Sequence, residues 1–183
     1  YDGIVDKFIG DGIMAHWGAF TPDRPNALLA ALAALEKAGR IDGLIVASPS
    51  NPTGTMVGHA EMKELARWCD RNGVRLISDE IYEHILYDGT AHVPIASIEG
   101  MADRTVTINS LSKTFSVTGW RVGWAISPAA LTGAIRKVHD FLTVGAAAPL
   151  QEAGVAALTE SEAYYQELAA AYTRRRDTLL EAL

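Results

Sequence analysis

Three stretches of the chain carry side chains able to do chemistry, and each follows a short apolar run. Residues 44–47 lead into Ser48-Pro49-Ser50-Asn51-Pro52-Thr53-Gly54, residues 74–78 into Asp79-Glu80-Ile81-Tyr82, and residues 106–108 into Asn109-Ser110-Leu111-Ser112-Lys113. Arg121 follows within Thr118-Gly119-Trp120-Arg121-Val122-Gly123. In α/β sheets ligands collect beyond the carboxyl ends of strands, so these side chains would share one region. An amine whose surroundings lower its pKa attacks carbonyls and then serves as a base. A guanidinium grips phosphate in a forked, charge-assisted contact that an ammonium cannot copy. Taken singly, the same residues read as a turn, a helix cap, a solvated lysine and a surface ion pair. Their order and spacing together point to a site.

The elements that must position them follow from periodicity. Residues 1–19 read as strand, turn, strand, with Ile4, Val5, Phe8 and Ile9 before Gly10-Asp11-Gly12 and Ile13, Met14 and Trp17 after. Pro25 opens an Ala and Leu tract with Leu28, Leu32 and Leu35 on one face and Gly39 placed to end it. Met62, Leu65, Ala66 and Cys69 mark an amphipathic helix closed by Gly73. Residues 44–47, 74–78, 106–108 and 122–126 are short apolar runs suited to buried strands. Helices are expected over about 128–142 and 150–158 and from Glu162 onward, the last opened by Thr159 and Glu162 at capping-box spacing. The alternation predicts an α/β fold: a mainly parallel sheet flanked by helices on both faces, with an N-terminal β-hairpin.

Composition narrows the function. The 183 residues are 49% hydrophobic and 21% charged with a net charge of -6, which suits a soluble domain and excludes nucleic acid as a partner. The basic run Arg174, Arg175 and Arg176 reads as a solvated helical face. Cys69 is the only cysteine, so no internal disulfide and no thiolate zinc cluster can form, and a reducing, cytoplasmic setting is expected. The five histidines lack close ligand spacing, and no metal is expected. No signal peptide or membrane span is legible. Tyr1 is not a start methionine and Leu183 stops a helical pattern abruptly, which suggests a piece of something longer.

The runs 48–54 and 79–82, with Ser110-Leu111-Ser112-Lys113 and Gly119-Trp120-Arg121, resemble the class I and II aminotransferases of pyridoxal-phosphate fold type I. The resemblance implies transfer of an amino group between an amino acid and a 2-oxo acid, with pyridoxal 5'-phosphate as cofactor and a homodimer as the full-length assembly. It implies that Lys113 forms the Schiff base and moves the α-proton. Asp79 would keep the pyridine nitrogen protonated. Asn51 and Tyr82 would hydrogen-bond the phenolic oxygen, and Ser110 and Arg121 would hold the phosphate. Lys113, Asp79 and Tyr82 are thus the catalytic expectations, while Trp120 and the glycines are expected to serve packing.

Residues 6–15 are instead similar to the hairpin of class III adenylate and guanylate cyclases, where the position of Asp11 holds metal and that of Lys7 contacts the purine. One carboxylate cannot assemble a two-metal site, so cyclase activity is not expected. The expected organisation is a cyclase-like hairpin segment over 1–26 and part of an aminotransferase large domain over 27–183. By the resemblance, the family's phosphate-cradling loop, its ring-stacking aromatic and its substrate-carboxylate arginine fall outside this stretch, and turnover by it is not expected. Two other readings stand beside the enzyme: an inactive fragment that binds cofactor or a partner, and a cyclase-derived piece.

Overall fold

The computed structural model describes residues 4–9, 12–16 and 27–183. Strands β1 (Ile4–Ile9) and β2 (Gly12–His16) pair antiparallel with Ile9 opposite Gly12, the hairpin expected from the flanked glycine turn. Its register shifts between Val5 and Lys7, and it forms a two-stranded sheet of its own. Asp11 and Trp17 lie outside the described residues.

Helix α1 (Ala27–Ala38) buries Leu32 and packs Leu28 and Leu35 on the core, and Gly39 follows at φ 93°. Helix α2 (His59–Asn72) buries Met62, Leu65, Ala66 and Cys69, the i, i+3, i+4, i+7 stripe read from sequence. Its first turn is capped by Glu61, whose Oε2 accepts the Gly58 N–H at 2.8 Å. Its last is closed by Gly73 at φ 66°, a left-handed conformation that glycine adopts without Cβ strain. Trp68 is buried beside this stripe and donates its indole N–H to Glu36 of α1 at 3.1 Å.

Four strands make the main sheet in the order β3 (Gly43–Ala47), β4 (Arg75–Asp79), β5 (Thr105–Ser110), β6 (Gly123–Ile126). The first three run parallel and β6 returns antiparallel. One face is core: Leu76 and Ser78 of β4 and Thr105 and Asn109 of β5 are buried there. This is the expected α/β fold, a mainly parallel sheet flanked by helices, but alternation sends Ile45, Ile77 and Ile108 to the other face, where cover is less complete than expected. Ile45 is 70% exposed, Ile77 36% and Ile108 39%.

The short helix α3 (Leu111–Thr114) follows β5 directly, and α4 (Ala129–Leu142), α5 (Ala148–Ala157) and α6 (Glu162–Ala182) complete the chain. The expected cap of α6 is not formed. Ser161 occupies the cap position without a side-chain hydrogen bond, and Thr159 donates its hydroxyl backward to Ala156 O at 2.7 Å. Arg176 also departs from expectation: it pairs with Asp88 at 2.7 Å and lies over the Tyr87 ring, so one arginine of the basic run ties α6 to the segment after β4.

Candidate active site

Register brings the reactive runs to one edge. Ala47 is level with Asp79, Asp79 with Ile108, and Ser110 with Gly123. The carboxyl ends of β3, β4 and β5 therefore meet the start of β6, with neighbouring strands about 4.8 Å apart. Because β6 is antiparallel, Arg121, two residues before it, reaches the same edge as Ser110 from the opposite direction.

Each run leaves its strand through a defined turn. After β3, Ser48 donates its N–H to Asp79 O at 3.1 Å and accepts the Val57 N–H at 3.1 Å. The loop carrying Asn51 closes through Ser50 N–H to Thr55 O at 2.9 Å. After β4, Asp79 is half-buried on the open face, and its Oδ1 accepts the Ile81 N–H at 3.3 Å. After β5, the Ser110 hydroxyl caps α3 by accepting the Ser112 N–H at 3.2 Å, and Leu111 donates its N–H to Val122 O at 3.2 Å. This cap turns the chain so that Lys113 lies one helical turn beyond the strand.

Lys113 and Tyr82 meet directly, with Nζ 5.6 Å from the ring centroid. Arg121 sits at φ 57°, exposed, and among the described residues its guanidinium donates only to Thr118 O at 3.1 Å, which leaves most of its N–H groups for a ligand. Asn51 is exposed, and among the described residues no hydrogen bond joins it to the other five. Trp120, expected to pack, is 39% exposed. Two cavities lie elsewhere: one of about 290 Å³ between Glu36, Arg40 and Trp68, and one of about 240 Å³ between His84, Leu86 and Tyr165.

Beneath the edge lies a polar cluster that sequence reading missed. Glu80 is buried; its Oε1 accepts the Ser78 hydroxyl at 2.7 Å and its Oε2 lies 2.8 Å from His92 Nε2. Glu83 accepts from the Asn109 amide and lies 3.4 Å from His84 Nε2. Burial pushes the Glu83 carboxyl up, but the His84 hydrogen bond and charge, the His92 charge and the Asn109 amide together hold it below the usual carboxylate range. Donor atoms of Glu80, Glu83 and His92 fall within 4.8 Å of one another, a grouping that histidine spacing alone did not suggest. The Asp-Glu run and the polar Glu83 and His84 were the available signal, but their partners come from β5 and a distant loop.

The sequence model of the family described as aminotransferase class I and II matches residues 21–183. The chain belongs to that family. It is 41% identical over 144 residues to the kynurenine–oxoglutarate transaminase of Dictyostelium discoideum, a match covering 76% of this chain and 33% of that protein. Against the Bacillus subtilis aminotransferase YugH it is 33% identical over 183 residues, covering 100% of this chain and 46% of that one. The solved structure of N-succinyldiaminopimelate aminotransferase from Mycobacterium tuberculosis superposes with a TM-score of 0.78 at 38% identity, over 82% of this chain and 40% of that one. The chain thus spans well under two thirds of the length of these class I and II relatives. Members of the family use pyridoxal phosphate. The donor set at the edge suits such a molecule: an amine for an aldehyde, a carboxylate for a ring nitrogen, and a hydroxyl beside a largely unengaged guanidinium for a phosphate.

Proposed function

We propose that this chain is the cofactor-holding part of an amino-acid aminotransferase, acting between an amino acid and a 2-oxo acid, with Lys113 carrying pyridoxal phosphate. One observation carries the reading: the register places Asp79, Ser110 and the approach to Arg121 on one sheet edge, with Lys113 over Tyr82 at 5.6 Å. When bound, the cofactor supplies an electron sink for the carbanion left by loss of the α-proton. Lys113 Nζ would hold the cofactor covalently and would serve as the base for the substrate's α-proton. The Asp79 carboxylate would keep the proton on the ring nitrogen. The Tyr82 hydroxyl and the Asn51 amide would hydrogen-bond the ring oxygen, and the Ser110 hydroxyl and Arg121 guanidinium would hold the phosphate. A cytoplasmic setting and a homodimer accompany this reading.

Adding pyridoxal phosphate to the chain tests it. Borohydride reduction followed by peptide mapping is expected to fix the label on Lys113, and Lys113→Ala is expected to abolish the visible absorbance of lysine-bound cofactor. Label spread over surface lysines, with an unchanged spectrum in Lys113→Ala, would sink the assignment.

For residues 1–20 we propose a hairpin of class III cyclase type without cyclase activity. Support comes from a family match that begins at residue 21 and from a sheet separate from the main one. The alignment with YugH, which runs through all 183 residues, weighs on the other side.

A further inference from the structure

We propose that the buried Glu80–His92 pair is a positioning device that aims Asp79, and with it Tyr82, at a cofactor carried by Lys113; this rests on the functional reading above. A buried carboxylate is costly unless its lone pairs are satisfied, and packed apolar residues often stabilise a fold as well or better. Here the carboxylate is the immediate neighbour of Asp79. Strand alternation puts Ser78 and Glu80 on the core side and Asp79 on the open side. Ser78 donates to Glu80 Oε1 at 2.7 Å and His92 Nε2 meets Oε2 at 2.8 Å, so the backbone on both sides of Asp79 is pinned from below. Above, the only hydrogen bond of the Asp79 carboxylate among the described residues is the long 3.3 Å contact from the Ile81 N–H. Its aim is therefore set by what holds its neighbours.

The far end of the same turn is tied independently. Glu83 accepts from the Asn109 amide, while Asn109 Oδ1 accepts the Ser110 N–H at 2.7 Å. Residues 80–83 thus span two anchors, and Tyr82 between them is the residue beneath Lys113. His92 Nδ1 is buried without a hydrogen-bond partner among the described residues, and because a carboxylate oxygen accepts, Nε2 carries the hydrogen that Glu80 receives. Moving that hydrogen to Nδ1 would strand both groups. Donation from a single nitrogen is a task that a glutamine amide can copy and a leucine cannot.

The experiment uses the whole chain with pyridoxal phosphate as probe and compares His92→Gln, His92→Leu, Ser78→Ala and Lys113→Ala. It reads the dissociation constant, the pH midpoint of the visible band and the melting temperature. We expect His92→Leu to weaken binding about tenfold through loss of orientation. Its band midpoint should move by about one pH unit as the ring nitrogen loses its carboxylate. His92→Gln should restore both. A His92→Leu chain that folds and binds and titrates like the unaltered one would overturn the proposal, as would a well-folded His92→Gln that fails to restore. Should His92→Leu not fold, Ser78→Ala carries the same test by removing one Glu80 hydrogen bond, with an expected loss of about threefold, and unchanged binding and titration would overturn the proposal. A band that persists in Lys113→Ala would overturn the cofactor reading itself, an outcome distinct from any His92 result.

Discussion

Glu83 shows how a single carboxyl couples the site to solution conditions. Its folded pKa lies below the ordinary value of about 4.3, so the stability it contributes is fully present above that value and is lost as pH falls through the folded one. Glu83→Gln is expected to make the acid limb of the stability curve shallower below about pH 5 while leaving the neutral plateau's shape unchanged. Circular dichroism against pH checks this, and an unchanged acid limb would refute it. Gly123 makes a steric case. A Cβ there would lie 2.9 Å from Asn109 O and 3.1 Å from Ser110 Cβ, so Gly123→Ala must push β6 away from the strand that carries the site. We expect a loss of about 1–3 kcal/mol in denaturant unfolding and a weaker phosphate grip. The motif residues were legible because their chemistry is contiguous in sequence. The partners of the acidic cluster were not: His92 lies twelve residues beyond Glu80, and Asn109 twenty-six beyond Glu83, with no periodicity joining them.

At the scale of elements, the strands and longer helices followed from periodicity, and the miss was α3. Four residues are too few for a helical stripe to show, and Ser110 was read for phosphate rather than as the cap that starts the helix bearing Lys113. That helix is braced from behind by α6. Tyr164 stacks on Phe115 at 5.3 Å and donates its hydroxyl to Thr114 O at 2.8 Å, the residue after Lys113. Tyr164→Phe keeps the stack and removes the bond, for an expected loss of about 0.5–1.5 kcal/mol by thermal melt. A larger loss would mean that α6 does more than brace. The cap of α6 was misread because Thr159 at capping-box spacing satisfies its hydroxyl with the preceding helix instead.

At the scale of the molecule, the four-stranded sheet was legible as a class, but the exposure of one face was not. Apolar runs report only that a strand prefers cover. Ile45, Ile77 and Ile108 form an apolar surface beside Asp79, and such patches bind dyes and promote association. The chain is expected to enhance anilinonaphthalene sulfonate fluorescence and to associate as concentration rises, and Ile45→Lys should reduce both. Sedimentation showing a monomer at every concentration would contradict this. The antiparallel return of β6 has its own consequence. Ser110, Lys113 and Arg121 ride on one continuous β5–α3–β6 unit, whereas Asp79 and Tyr82 belong to β4 and its exit. The proposed site thus has a cationic piece on β5–α3–β6 and an anionic piece on β4 and its exit, joined along the β4–β5 seam, with Asn51 on the loop after β3. A small slide at that seam would retune the charge facing the amine while leaving the spacing from amine to phosphate grip untouched, so basicity and anchorage can vary separately.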